Sequence, residues 1–246
     1  VWGTDPNNVW AVGTGGKILH FDGKRWAEQK SGTGAMLNAV WAFDGKNVWA
    51  VGAGGVILFY DGKRWSKQAS GVYWNLKGVC GVSRDSVWAV GSGGVLHFNG
   101  TRWSVQYLKR ESPAFSYLNG IWAEDAGHVW AVGHRTGPGW EQVGEVLFFD
   151  GASWKQQFRG EGYPLKAVTS AGPGRARAAG YGCALVFDGF SWKSDRAVDP
   201  EWRLTSITAP DPERVWAAGV LATANQQFPL ILENRLGVWR VQMVIR

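Results

Sequence analysis

The sequence repeats one short motif at nearly constant intervals. It reads Val-Trp-Ala-Val-Gly at 9–13, 48–52, 87–91 and 129–133, with degenerate copies at 176–180 and 215–219. Successive copies start 39, 39, 42, 47 and 39 residues apart. A period of about 40 residues indicates stacked copies of one supersecondary unit, so this repeat constrains the fold more than any other feature.

Each repeat unit contains four short runs with the composition of β-strands, named A to D in chain order. In the second unit they are Leu37–Phe43, Asn47–Gly52, Val56–Tyr60 and Arg64–Ala69, which are rich in Val, Trp, Phe and Tyr. Asp-Gly or Asn-Gly follows run C in five of the six units, and these dipeptides favour tight hairpins with positive φ angles.

Six such units predict an all-β protein, a six-bladed β-propeller of four-stranded antiparallel blades. We expect a single domain over residues 1–246. The blades are predicted at about 1–31, 37–71, 76–108, 118–160, 165–197 and 204–246.

Tryptophan fills equivalent positions in most of these units. Of the 17 tryptophans, 14 fall in strands A, B or D of the repeat. A bulky ring that recurs in the same slot is typical of blade-to-blade packing. The three that fall outside the repeat positions are Trp74, Trp140 and Trp202.

The repeat resembles a known family. Residues 1–26, VWGTDPNNVWAVGTGGKILHFDGKRW, resemble the VWAVG-type repeats of exported bacterial proteins common in myxobacteria. The six Gly- and Trp-rich units are also similar to tectonin-type lectins, which are six-bladed propellers that bind glycans. The fifth unit departs from the pattern at Arg177, and the sixth at Arg235-Leu236. The resemblance implies a bacterial protein that is extracellular, periplasmic or on the cell surface.

The repeat units vary in length mainly in two kinds of connection. The B–C connection is longer in unit four, His134–Glu145, and in unit six, Val220–Pro229; the D–A connection is longer in unit three, Tyr107–Tyr117. In a propeller these connections share one side, here called the variable side, and the A–B and C–D turns share the other, here called the turn side. Loop variation on a rigid scaffold favours a binding role for the variable side.

Aromatic residues in these connections are the candidate ligand contacts. Trp74, Tyr163 and Trp202 each lie two residues before the leucine that opens strand A. Aromatic rings stack on the C–H faces of sugars. The same rings could instead pack locally and cap the inner strand, and the sequence leaves both interpretations open. The full candidate ligand-binding set is Trp74, Asn75, Tyr117, Trp140, Tyr163, Trp202 and Arg203.

Two binding functions follow from this pattern. The leading hypothesis is a non-catalytic, lectin-like module that recognises a glycan on the variable side. The alternative is a protein-interaction scaffold domain of a larger exported or surface protein. Because the chain opens at Val1-Trp2-Gly3, within a strand A, we expect a monomeric propeller within a longer chain or assembly.

Other chemistries lack a sequence signature. The sequence contains no HExxH, CxxC, GxSxG or phosphate-loop motif, so we expect no metal, no cofactor and no enzymatic activity. Glu141 and Glu145, near His134, are the acid–base candidates, but their spacing is not catalytic. The net charge of +6 permits acidic partners, yet no concentrated basic stripe predicts nucleic-acid binding. No apolar run is long enough for membrane insertion.

The two cysteines are predicted to be buried thiols. Cys80 falls in strand A of unit three and Cys183 opens strand C of unit five. Those blades are not adjacent, and a disulfide needs Cα atoms within about 7 Å. Denatured, unreduced protein should therefore titrate with two thiols.

Overall fold

The computed structural model describes residues 1–108, 116–136, 141–172, 174–195, 197–223, 225–235 and 237–244. These residues form six four-stranded antiparallel sheets, each built from consecutive strands. The prediction of an all-β, six-bladed propeller with four strands per blade is confirmed. Each sheet takes all four strands from its own repeat unit, because every strand pairs with its neighbour in sequence.

The chain divides into two compact units, Val1–Arg110 and Glu111–Arg246, with three blades each. The strands of the first unit are β1 Trp2–Asp5, β2 Asn8–Val12, β3 Ile18–Phe21, β4 Trp26–Gln29, β5 Leu37–Asp44, β6 Asn47–Gly52, β7 Ile57–Tyr60, β8 Trp65–Gln68, β9 Leu76–Ser83, β10 Ser86–Gly91, β11 Gly94–Phe98 and β12 Trp103–Leu108. Two 3-10 turns, Thr14–Gly16 and Ala53–Gly55, connect strands B and C of blades one and two.

The strands of the second unit are β13 Ser116–Asp125, β14 His128–Thr136, β15 Gln142–Phe149, β16 Trp154–Glu161, β17 Leu165–Ser170, β18 Ala176–Gly180, β19 Cys183–Phe187, β20 Trp192–Ser194, β21 Trp202–Asp211, β22 Arg214–Ala222, β23 Gln227–Arg235 and β24 Val238–Val244. Strand positions therefore follow the repeat closely, while a single domain over 1–246 stays a prediction.

The cores of the blades are built around strand B. Its tryptophans in the first four blades, Trp10, Trp49, Trp88 and Trp130, are all buried. Strand B is apolar on both faces because it is covered on both faces, as in a buried sheet. The packing role predicted for these four rings is confirmed.

The C–D hairpins differ from the tight turns expected from Asp-Gly. In blade one, Phe21 pairs with Trp26, which leaves a four-residue turn. The Asp22 carboxylate accepts hydrogen bonds from the backbone N–H groups of Lys24 and Arg25, both at 2.9 Å. Gly23 has a φ of 89°, so glycine supplies the positive φ and aspartate closes the turn with its side chain.

In blades two to six, the glycine that ends the motif marks a close backbone approach. A Cβ added to Gly52 would lie 2.1 Å from the Met36 carbonyl oxygen, and one added to Gly133 would lie 1.8 Å from that of Tyr117. No side chain fits at that distance. The glycine lets the D–A connection pass directly over the end of strand B.

The long connections of blades four and six are mainly longer strands. Val220 pairs with Pro229 and Ala222 with Gln227, so the predicted loop Val220–Pro229 is largely hairpin ladder. In blade four, His134 pairs with Gly144 and Gly133 with Glu145. Residues 137–140 of that connection, and 109–115 of the connection in unit three, lie outside the described residues. The inserted residues extend the ladder because backbone pairing satisfies their N–H and C=O groups.

Both cysteines occupy the buried strand positions that the repeat predicts. Cys80 lies in β9 and Cys183 begins β19, and both side chains are buried. Burial raises the pKa of the Cys183 thiol to about 11, because a thiolate is poorly solvated there. The thiol is therefore protonated and unreactive at neutral pH.

Candidate functional site

Trp74 is a packed ring in the first unit. It is half-buried, and a Cβ at Gly93 would lie 2.2 Å from the indole Cε3 atom, so the ring rests directly on the Gly93 backbone. Asn75, which is exposed, accepts a hydrogen bond from the Gly54 N–H at 3.0 Å. The exposed ring is the adjacent Tyr73, which is 93% exposed and which the sequence analysis missed.

The equivalent rings in the second unit are half-buried as well. Tyr163 meets Phe158 edge-on, with ring centroids 5.5 Å apart and planes at 86°. Trp202 packs against the apolar cluster that contains Leu204 and Val215. Trp140 lies outside the described residues. Contacts within the protein thus cover much of the surface of each described ring. The contact of these side chains with a ligand stays a prediction.

A polar group that includes Tyr117 lies on the variable side of blade four. The Tyr117 ring stacks on His134 with centroids 5.5 Å apart. The Asn119 amide nitrogen lies 3.2 Å from His134 Nδ1 and donates a 2.8 Å hydrogen bond to the Leu165 carbonyl. His134 and Glu145 are both buried. Of the two acid–base candidates, Glu145 is therefore enclosed in the β14–β15 ladder beside His134, whereas Glu141 is exposed.

His134 is a neutral imidazole at physiological pH. Burial lowers its pKa to about 4, with a smaller lowering from the Lys166 ammonium and an opposing effect of the Glu145 carboxylate. Because the amide nitrogen of Asn119 can only donate, Nδ1 of the neutral ring accepts that hydrogen bond. The imidazole ring packs between the Tyr117 ring and strands β14 and β15.

Two cationic side chains converge on Tyr181 in blades five and six. The Lys166 ammonium lies 4.6 Å from the centre of the Tyr181 ring and the Arg203 guanidinium carbon 5.5 Å from it. Tyr181 also pairs with Arg203 through an antiparallel bridge, and the Gly182 N–H donates to the Trp202 carbonyl at 2.7 Å. We call Lys166, Tyr181 and Arg203 the cationic cluster.

The fold explains how these residues meet. Lys166 and Arg203 are the second residues of β17 and β21, both A strands, and Tyr181 follows the end of β18. All three positions therefore lie on the variable side. Arg203 belonged to the predicted set, whereas Lys166 and Tyr181 were missed.

A sequence signal for Lys166 existed. The residue after the leucine of strand A is polar or charged in five blades: Asn38, Lys77, Asn119, Lys166 and Thr205. Two of these amides make the same contact, because Asn38 donates to the Leu76 carbonyl at 2.7 Å as Asn119 does to Leu165. This slot links neighbouring blades through an amide in blades two and four, and it carries a lysine in blades three and five.

Across the described ranges, no group of three His, Cys, Asp or Glu side chains could hold a metal ion. In that part of the chain, no helix has the length and apolar character needed to cross a membrane.

Solved structures share this fold at low sequence identity. YCF48 bound to a D1 peptide has a TM-score of 0.70 at 17% identity, covering 97% of this chain and 78% of that one. YCF48 from Cyanidioschyzon merolae has a TM-score of 0.66 at 16% identity, with 98% and 83% covered. The fucose-recognising lectin of Aleuria aurantia, a six-bladed propeller, has a TM-score of 0.53 at 14% identity, with 93% and 86% covered.

These structural similarities establish the fold. A six-bladed lectin is among the structural neighbours. No protein-family model and no curated protein sequence matches this chain. The resemblance to VWAVG-type and tectonin repeats therefore stays a prediction.

Proposed function

We propose that the protein is a non-catalytic binding domain that takes an acidic peptide segment of a partner protein on the variable side of blades five and six. The observation that carries this proposal is the convergence of Lys166 and Arg203 on one tyrosine ring. An exported or cell-surface location belongs to the same proposal. The peptide-binding proposal develops the protein-interaction alternative that the sequence left open.

The chemistry of the cationic cluster suits a carboxylate. Arg203 is exposed, and a guanidinium offers paired N–H donors that match the two oxygens of a carboxylate. The cation–π contacts with Tyr181 hold both side chains near one position, which reduces the rotamer entropy lost on binding. YCF48, which has the same fold, binds a D1 peptide. This supports a peptide as the ligand class.

A peptide array tests this proposal. The affinity of the 246-residue protein would be measured for acidic peptides and for matched control peptides in which Gln and Asn replace Glu and Asp. We expect binding of acidic peptides that weakens about tenfold in Arg203→Gln, since one charge-assisted hydrogen bond is worth about 1.5–3 kcal/mol.

Arg240→Gln is the matched control, because Arg240 is an exposed arginine on the outer strand β24 of the same blade. Its affinity for the selected peptide should stay unchanged. Equal losses in Arg203→Gln and Arg240→Gln would mean general charge attraction and would contradict a site at the cationic cluster.

Glycan recognition is the second candidate. Tyr73, 93% exposed, stands beside Trp74 and Asn75 and offers the open aromatic face that a sugar ring needs. A glycan array on the wild type, Tyr73→Ala, Trp74→Ala and Trp202→Ala decides it. A specific glycan signal lost in a folded variant would support a lectin. If no glycan binds and acidic peptides do, peptide binding would be the only one of the two proposals that is supported.

A further inference from the structure

A pocket lies on the turn side of the second unit, between blades four and five. Its volume is about 440 Å³. Trp130, Phe148 and Phe187 form its wall, with the Trp130 ring centroid 4.3 Å from that of Phe148 and 5.0 Å from that of Phe187. Phe190 lines the opening and is 93% exposed. The peptide proposal above makes no use of this pocket.

The ionisable groups in this pocket are negative or already paired. Glu124 lines it, and one carboxylate oxygen accepts the Trp130 indole N–H at 3.2 Å. His128, the other ionisable lining residue, lies 2.8 Å from the Asp125 carboxylate. Gln157 also lines the pocket, and its side chain makes no hydrogen bond within the described part of the chain. The pocket therefore combines aromatic faces with acceptor groups.

The repeat provides a reference pocket in the first unit, between blades two and three. It measures about 340 Å³ and contains Trp49, Phe59 and Phe98 at the same repeat positions. There the Gln68 amide oxygen accepts both the Trp49 indole at 3.3 Å and the Trp103 indole at 2.8 Å. The Gln68 side chain of that pocket is thus already used in hydrogen bonds within the protein.

The second-unit pocket breaks this pattern. Trp130 turns its indole N–H to Glu124, and the indole N–H of Trp192, the equivalent of Trp103, is buried with no hydrogen-bond partner in the described residues. Phe190 stands where the first unit has Thr101. The substitution of Glu124 for Phe43 and of Phe190 for Thr101 adds a charge and an exposed ring at one place.

The first-unit pocket also shows what fits beside these rings. The Arg84 side chain of the chain itself lines it, 3.3 Å from the Asp85 carboxylate. Glycine occupies the Asp85 position in the second unit, at Gly174. The pocket there keeps the aromatic wall and carries its own carboxylate.

We infer that the pocket of Glu124, Trp130, Phe148, Phe187 and Phe190 binds an arginine side chain of a partner protein. A planar guanidinium stacks on aromatic faces and is the cation most often found there. Its forked N–H groups can reach a carboxylate and an amide oxygen together, as Glu124 and Gln157 provide. The occupant therefore has a charge opposite to that recognised by the cationic cluster.

The test uses the tripeptide acetyl-Gly-Arg-Gly-amide and its citrulline and lysine counterparts. Citrulline keeps the shape of arginine and removes its charge. The readout is the indole ¹⁵N–¹H signal of Trp130 in the full 246-residue chain. We expect a saturable shift with the arginine peptide, a several-fold weaker one with lysine, and none with citrulline.

Two variants locate the site. Glu124→Gln keeps an acceptor for the Trp130 indole and should weaken binding at least tenfold. Phe190→Thr introduces the residue of the first-unit pocket at an exposed position and should weaken binding several-fold. Glu161→Gln, the loss of an exposed carboxylate elsewhere on blade four, should leave affinity unchanged.

Three outcomes would overturn the inference. They are an equal response to citrulline, an unchanged affinity in both Glu124→Gln and Phe190→Thr, and a response to a monosaccharide without one to arginine. Loss of acidic-peptide binding in Arg203→Gln is a separate result, so the two proposals fail independently.

Discussion

At the scale of single residues, His134 shows how the fold changes the chemistry of a side chain. The imidazole is buried between Tyr117 and the β14–β15 ladder and has a pKa of about 4, against a usual value of 6.5. Between those two values the unfolded chain binds a proton that the folded chain excludes. Stability therefore falls as the pH drops through this range.

Replacing His134 should remove this pH dependence. We expect the wild-type Tm to fall more between pH 7.5 and pH 4.5 than the Tm of His134→Gln. The pKa values of His20 and His97 are lowered too, but both residues remain in the variant, so the difference isolates His134. Parallel Tm curves for the two proteins would contradict a buried neutral imidazole.

The motif glycine gives a second residue-scale prediction. Gly52 and Gly13 both have extended φ angles, −164° and −167°, which any residue adopts. A Cβ at Gly52 would lie 2.1 Å from the Met36 carbonyl oxygen, whereas a Cβ at Gly13 meets no atom within 4 Å. Gly52→Ala should cost about 1–3 kcal/mol of unfolding free energy by overpacking.

Gly13→Ala serves as its control and should change stability by less than about 0.5 kcal/mol. Urea denaturation of both variants measures the difference. Similar costs would show that glycine flexibility, rather than the close carbonyl, explains the motif.

At the scale of strands, neighbouring blades are joined by one recurring bond. The indole of Trp65 donates to the Gln29 side chain of the preceding blade, Trp103 to Gln68 and Trp239 to Asp195, each at 2.8 Å. In each bond the acceptor lies three residues after the strand D tryptophan of the preceding blade, which is Trp26, Trp65 or Trp192. The bond fixes the outer strands, which have no sheet partner on their free edge.

Gln68→Leu should destabilise the protein by about 1–3 kcal/mol, because two buried indoles lose their acceptor. Gln157→Leu is the matched change in blade four, where no described residue bonds to the amide. It should cost less than about 0.5 kcal/mol. Comparable shifts of the denaturation midpoint in both variants would contradict a structural role specific to Gln68.

At the scale of the whole molecule, the proposal is a scaffold that binds and does not catalyse. Glu141 is exposed, while Glu145 is enclosed in the β15 ladder. The absence of enzymatic activity stays a prediction.

Assays with glycosidase and polysaccharide-lyase substrates test that prediction, and we expect no turnover above the uncatalysed rate. Turnover that disappears in Glu141→Gln or Glu145→Gln would overturn it. Turnover retained in both variants would point to a contaminant and would be resolved by repurification.

The sequence by itself determined the blades, because each strand and turn depends on residues within a few positions of one another. The VWAVG motif predicts strand B and the glycine at its end, and Asp-Gly predicts the C–D turn, although the turn has four residues. These short-range patterns repeat six times, so each copy supports the others.

Only the tertiary structure decided which side chains are available to a ligand. Trp74 and Tyr73 are adjacent in sequence, yet Trp74 rests on Gly93 and Tyr73 is exposed. Lys166 and Arg203 come from two A strands and Tyr181 from the turn after β18, and the three meet only because two blades pack together. The exposure of a side chain and its contacts with other side chains depend on the neighbouring blades. A repeat places similar residues in every blade, so the repeat alone does not indicate which of them a ligand can reach.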